Sequence, residues 1–244
     1  MHPYQLTATL FSVALAAGFL GSLTGLGGGV ILTPVLTLLL GVDLRYAIGA
    51  TLAQLAMQAK PNGGTLCIQT GGLTAANHAE RIQAIRDTLA RLHPHGFIGD
   101  RLRGQHGWTE VEGCPLYTND DFALAAQQIA DTLVKYPALD ALIQTGGFAE
   151  LAPDAYRAVV TPYKQRIADG SLVLIAADTL PLQVGFLREG LSGGQVGQRP
   201  FDMGYKAIRY LTAIQDGDPP PPDPVLTGLD ICLPANVDTC LEGK

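Results

Sequence analysis

An open α/β parallel sheet with helices on both faces, preceded by an apolar membrane-type helical hairpin, is the fold class this 244-residue sequence predicts. Three observations carry that expectation. Residues 1–42 contain no Asp, Glu, Lys or Arg, so every formally charged side chain lies in the rest of the chain. From Thr65 onward, short apolar runs alternate with stretches of helical period. The pentapeptide Ile-Gln-Thr-Gly-Gly occurs twice, at Ile68–Gly72 and Ile143–Gly147, each time where an apolar run meets a helical stretch. Strand–helix alternation implies parallel strands with right-handed crossovers, and such a layer binds ligands at the carboxyl ends of its strands.

The elements follow in order. Leu6 to Leu23 is an uncharged run near the lower length limit for spanning a bilayer, and Thr24–Gly29 and a second apolar run, Val30–Val42, follow it. A secretory leader is an alternative, since Ala14-Leu15-Ala16 has the small-x-small pattern, but the segment before it has no Lys or Arg. In the remainder, strands are expected at Thr65–Thr70, Cys114–Tyr117, Asp140–Thr145, Leu172–Ala176 and Gly194–Gln198. Ile82, Ile85, Leu89 and Leu92 recur at helical spacing, as do Phe122, Ile129 and Leu133. Pro153, Pro181 and Pro200 stand where a first helical turn tolerates proline.

Composition narrows the function classes. Hydrophobic residues make up 47% of the chain, enough for a substantial core, and a net charge of −6 argues against a nucleic-acid partner. No Cys-x-x-Cys or His-Glu-x-x-His spacing supports a metal site, and His93, His95 and His106 read as a solvated loop. No nucleophile elbow or phosphate loop occurs, so no catalytic residue and no cofactor are expected. Cys232 and Cys240 are close enough in sequence to be either a surface disulfide or two thiols, and Cys67 and Cys114 read as buried free cysteines. Trp108 reads as structural and Arg86 as a solvated helix arginine.

Two resemblances refine this. Gly18–Ala50, with its glycine cluster before Val-Ile-Leu-Thr-Pro, resembles the first hairpin of the sulfite-exporter-like permeases, the TauE/SafE family. The strings AKPNGGTLCIQTGGLTAANHAERIQAIRDTL, GWTEVEGCPLYTNDDF and GQVGQRPFDMGYKA resemble the ribose-type periplasmic sugar-binding proteins of bacterial ABC importers. That resemblance covers about residues 52–240 and implies one lobe of a type I periplasmic-binding-protein fold. The implied domains are a hairpin over 1–51 and a sugar-binding-like lobe over 52–244, with most of the first lobe absent.

The resemblance also implies site residues. Arg81 matches the arginine that bonds sugar hydroxyls, Asp178 the sugar-binding aspartate and Gln198 the hinge glutamine. Thr145 lies in the second pentapeptide at a strand end. Asp120 and Gly146 stand where the family often has an aromatic residue and an asparagine, and Asn119 could supply a missing amide. Asp178 has an alternative role as N-cap of the Pro181 helix. The implied function is a non-catalytic, truncated sugar-binding component, with a monosaccharide or related small polar solute and ABC permease subunits as partners. It would be held at the bacterial inner membrane through residues 6–42, with the lobe in the periplasm. The alternative is a membrane-protein fragment of the permease family. The Pro200–Gln215 helix would then lack its usual sheet, leaving Ala207, Ile208, Leu211 and Ile214 without cover.

Overall fold

The computed structural model describes residues 44–221, 225 and 227–241. The expected hairpin falls on residues outside that range, apart from its last few, which begin the helix α1 (Leu44–Ala59). Among the described residues no helix is long and apolar enough to cross a membrane. The chain divides into two compact units, Met1–Ala47 with Gln198–Leu229 and Ile48–Gly197 with Asp230–Lys244.

The larger unit is a layered α/β structure. After α1 come β1 (Gly64–Thr70), α2 (Ala76–Leu89), β2 (Arg103–Gln105), β3 (Trp108–Glu110) and β4 (Leu116–Tyr117). These lead to α3 (Phe122–Lys135), β5 (Ala141–Gln144), α4 (Pro153–Val160), α5 (Lys164–Ala168), β6 (Val173–Ala177) and α6 (Pro181–Arg188). The last strands are β7 (Gly194–Gln198) and β8 (Leu229–Cys232). Strand order is β2-β3-β1-β5-β6-β7-β8, with β4 also pairing β1. The pairs β3–β1, β4–β1, β1–β5, β5–β6 and β6–β7 are parallel, as strand–helix alternation requires. The short β2–β3 hairpin is antiparallel and was not among the expected strands. It is three residues a side, and all three residues of the outer strand are exposed.

Alternation along the strands sends Cys67, Leu142 and Leu174 to one face, where Ile129, Leu133, Tyr156 and Phe186 complete a core. Leu66, Ile68, Ile143 and Ile175 are equally buried on the opposite face. There α1 and α2 touch at Gly49, where a Cβ would come within 2.3 Å of the Arg81 carbonyl oxygen. Pro153 and Pro181 begin α4 and α6 as their spacing predicted.

Two expectations are corrected. Cys67 and Cys114 are not free: they form a disulfide with Cα atoms 5.4 Å apart. The Val111 amide donates to the Leu66 carbonyl, and Leu116 pairs with Gln69, so the intervening loop carries Cys114 past Cys67. Arg86 is not solvated but buried, its Nε and Nη2 donating to both oxygens of Glu110 at 2.7 and 2.8 Å. The unforeseen strand β3 is what brings Glu110 there. Cys232 and Cys240 are disulfide-bonded, and Trp108 is buried in β3. His93, His95 and His106 are exposed, and among the described residues no His, Cys, Asp and Glu side chains cluster as a metal site.

In the second unit, Pro200 opens α7 (Pro200–Gln215), in which no residue is buried. Gln198 ends β7 half-buried and falls in this unit.

Candidate functional site

The two pentapeptides are neighbours in space. In the β1–β5 ladder Ile68 pairs with Ile143 and Gln69 with Gln144, so the copies run side by side in register. Their hydroxyls meet at the carboxyl end of the sheet, Thr70 Oγ1 lying 2.7 Å from Thr145 Oγ1. The Thr145 amide donates to the Gln69 carbonyl, extending the ladder by one bond beyond the strand. The repeat therefore builds one rim of hydroxyls and small residues from adjacent strands.

Three further groups converge on that rim. Arg81, in the second turn of α2, is buried, and its Nη1 donates to the Thr145 carbonyl. Its Nε is buried without a hydrogen-bond partner. Burial lowers the guanidinium's proton affinity, and the Asp178 carboxylate opposes that. Asp178 follows β6, and its Oδ2 accepts from the Gly147 amide at 3.5 Å. The Asp178 amide itself donates to Val196, adding a bond to the β6–β7 ladder. Asp178 does not cap α6. That helix starts after Leu180, whose amide donates to Gln183 Oε1.

Asn119 and Asp120 form the turn between β4 and α3, both exposed. Asn119, Asp120 and Asp178 all have positive φ, at 49°, 61° and 75°. Left-handed backbone costs most side chains, but Asn and Asp tolerate it through local hydrogen bonds. Three such residues at strand ends are consistent with a rim shaped for a ligand, where strain tends to collect.

Two residues at the rim were missed in the sequence. His78, in the first turn of α2, places Nδ1 3.1 Å from Thr145 Oγ1. A Cβ on Gly71 would lie 2.8 Å from His78 Nε2 and 2.7 Å from Asp120 Oδ1, so the glycine leaves room for both. Burial pushes the imidazole pKa down and Arg81 pushes the same way, against Asp120 and Asp178. The ring is therefore neutral at pH 7. Phe148 is the second, its ring tilted 59° to that of His78 with centroids 5.3 Å apart. A histidine eight residues past a strand and an aromatic beside a Gly-Gly turn are ordinary sequence features, and nothing in their spacing singles them out.

Behind the rim lies a buried polar cluster, also missed. Glu150 is fully buried and accepts from the side-chain amides of Gln183 and Gln195, the latter at 3.2 Å. Gln183 also donates to the Ala177 carbonyl and Gln195 to the Gln183 carbonyl. These bonds tie the turn after β5 to the start of α6 and to β7. Burial raises the Glu150 pKa to about 7, against the stabilising amides and with the Asp178 charge adding to the rise.

The structure thus brings Arg81, Thr145, Gly146 and Asp178 together on one edge, with Asp120 facing His78 across Gly71. Asn119 is beside Asp120 on the same turn, and Gln198 belongs to the other unit. Of these groups the Asp120 and Asp178 carboxylates reach solvent, while Arg81, Thr70 and Thr145 are buried behind them. The carboxylates can accept hydrogen bonds from the hydroxyls of a polyhydroxylated solute.

Comparisons with known proteins agree with this architecture. A glucose-galactose binding protein, GanP from Geobacillus stearothermophilus, superposes with a TM-score of 0.62 at 22% identity, covering 80% of this chain and 62% of its own. An ABC transporter solute-binding protein from Burkholderia graminis, in complex with D-arabinose, has a TM-score of 0.62 at 26% identity, with 81% and 62% covered. One from Agrobacterium vitis, bound with α-D-tagatopyranose, has a TM-score of 0.64 at 19% identity, with 81% and 59% covered. The chain thus spans about three fifths of the length of these structures. No curated protein matches it. The family model described as "Periplasmic binding protein domain" matches residues 44–219, most of the chain, and with the sheet order and rim above it shows that the chain belongs to that family.

Proposed function

We propose that the chain binds a monosaccharide or related small polar solute at this rim, as a non-catalytic solute-binding component of a bacterial ABC importer. The observation that carries the reading is the in-register pair of Thr-Gly-Gly strand ends, with Arg81 and Asp178 beside them. Resemblance to sugar-binding relatives, among them those crystallised with D-arabinose and α-D-tagatopyranose, supports the ligand class. In the proposed mechanism, ligand bound between two walls stabilises a closed state that the permease recognises, and no bond is made or broken. Family membership supports an extracytoplasmic site of action.

The unit containing Arg81 and Asp178 supplies one wall. Hydrogen bonds from one wall compete with bulk water and contribute about 0.5–1.5 kcal/mol each. A few such contacts, less the cost of immobilising the ligand, give an affinity near ~1 mM. Titration calorimetry against pentoses and hexoses tests this. Millimolar binding that Asp178→Ala abolishes without unfolding is the expected result. Micromolar binding would mean that another part of the chain supplies a working second wall, and no binding by any sugar would refute the reading.

A second proposal, membrane attachment through residues 6–42, rests on the absence of formal charge before Asp43. Recovery of the uncleaved full-length chain as a monomer in a detergent-free, high-salt supernatant would refute it.

A further inference from the structure

We propose that Phe148, oriented by His78, is a specificity-determining residue of the rim, its ring forming an apolar step that takes a C–H or methyl group of the ligand where most sugars carry a hydroxyl. The inference rests on the sugar-binding reading and deepens it.

Gly146 is the first observation. A Cβ there would lie 2.6 Å from Phe148 Cε2 and 2.8 Å from Cζ, so the ring lies over the end of β5 in space that any larger residue would fill. A longer polar side chain at position 146, which would present its own hydrogen-bonding groups, is replaced by the ring of its neighbour but one. The ring is half-buried, leaving part of it accessible.

The second observation is how firmly the step is held. His78 Nδ1 is fixed on Thr145 Oγ1, and that hydroxyl is fixed in turn on Thr70 Oγ1. The oriented imidazole packs against the Phe148 ring. Beside the step, Asp178 Oδ2 is held on the Gly147 amide. On the other side, His78 Nε2 and Asp120 Oδ1 approach the same point above Gly71. Polar groups, the His78 nitrogens among them, thus flank the Phe148 ring, which neither donates nor accepts.

A ligand reaching from Asp178 toward Asp120 therefore lays its middle on the aromatic step. A hydroxyl pressed there loses water and gains no partner, whereas a C–H or methyl group loses nothing and packs on the ring. The discrimination expected from one unsatisfied hydroxyl is about tenfold or more. The ligand class is a monosaccharide with an apolar patch, such as a deoxy sugar.

The test uses full-length chain with 15N backbone and 13C-labelled Phe and His side chains. It is titrated with sugar pairs differing by one oxygen: D-fucose against D-galactose, L-rhamnose against L-mannose, and 2-deoxyribose against ribose. We expect the deoxy member of at least one pair to bind about tenfold more tightly, moving the Phe148 and His78 ring signals. Phe148→Ala should bring that ratio to near unity while the Gly147 and Asp178 amides still respond. Phe148→Tyr, which keeps the ring and folds more safely, should shift the preference toward the hydroxylated sugar. Equal binding within every pair, or a ratio that survives both substitutions, overturns the proposal and leaves sugar binding standing. If no sugar moves the Thr145, Gly147 or Asp178 amides, the sugar-binding reading fails and the inference with it.

Discussion

Helices α2 and α7 are similar in length and opposite in fate. α2 (Ala76–Leu89) carries Arg81, Arg86 and Asp87 and yet buries seven of its residues, those three included. α7 (Pro200–Gln215) has an amphipathic pattern with Phe201, Tyr205, Ile208 and Leu211, and buries none. Apolar content does not separate them; the supply of partners does. Arg86 is buried because Glu110 answers both of its donors. Asp87 is buried because the His95 and Phe97 amides and the Gln83 side chain donate to it. Phe201 remains 81% exposed and Ile208 65%. Burial of a helix is thus a property of its surroundings, in which paired charges are tolerated and unpaired apolar faces are left in water.

Hydrogen exchange gives the largest expected contrast. Amides from Ile82 to Leu89 should exchange only on global unfolding, whereas those of α7 should exchange at least about a hundredfold faster through local opening. Equal protection of the two helices in a proven monomer would break the comparison, because it would require cover for α7 that its exposure does not show.

Removing a partner from α2 should cost nearly as much as losing part of the core. Glu110→Ala leaves the Arg86 guanidinium buried without a counter-charge, and the Leu102 amide without its acceptor. The expected loss is about 3–5 kcal/mol. On α7, Arg209→Ala removes a contact with the Tyr205 hydroxyl at the surface and should change stability by less than about 0.5 kcal/mol. Chemical denaturation of the two variants measures both. A mild Glu110→Ala would mean that water reaches Arg86 and that pairing is not what keeps α2 buried.

Much of the fold was legible in the sequence, and the comparison shows why the rest was not. Four of the five expected parallel strands are present at four to seven residues. β1, β5 and β6 were visible through their apolar runs, and β7, which has only Val196 as an apolar side chain, still matches its expected bounds, Gly194–Gln198. Leu116–Tyr117, the shortest, survives only as a two-residue remnant of its expected run. The β2–β3 hairpin was invisible because Arg103–Gln105 has no apolar residue. Missing that hairpin hid the partner of Arg86 and the route that carries Cys114 to Cys67. Motif resemblance singled out Arg81 and Asp178, and both stand at the carboxyl edge of the sheet. His78 and Phe148 were not, because their place depends on side-chain volumes absent at Gly71 and Gly146. Glu150 was hidden for a similar reason: its partners Gln183 and Gln195 lie 33 and 45 residues away in sequence.

Glu150 sharpens the contrast through pH. Its folded pKa is raised to about 7 by burial, so between the ordinary carboxylate value and 7 the folded chain holds a proton that the unfolded chain has released. Stability then falls as pH rises through that window, in total on the order of 3 kcal/mol, and levels off above it. His78 acts in the opposite sense. Its lowered pKa makes the unfolded chain the stronger proton binder, so its contribution grows as pH rises toward 6.5. Glu150→Gln should remove the falling slope and expose the rising one in denaturation curves taken from pH 5 to 8. A wild-type chain with the same stability at both ends of that range, matched by the variant, would show that water hydrates Glu150.

The smallest expected effect lies on α7, and it is the most direct test of the lesson. Ile85 and Ile208 are the same residue type on helices of similar length, one 0% and the other 65% exposed. Ile85→Ala deletes packed volume beneath the sheet and should cost about 2–5 kcal/mol. Ile208→Ala removes side-chain atoms that already meet water. It should change stability by less than about 0.5 kcal/mol, with alanine's better helix propensity offsetting what packing is lost. The ratio between the two variants, read from denaturation midpoints at low protein concentration, is what matters. If Ile208→Ala costs as much as Ile85→Ala, the α7 face is covered in solution, by another segment of the chain or by a second copy. Repeating the measurement over a range of protein concentrations separates those cases, since only self-association makes the cost concentration-dependent.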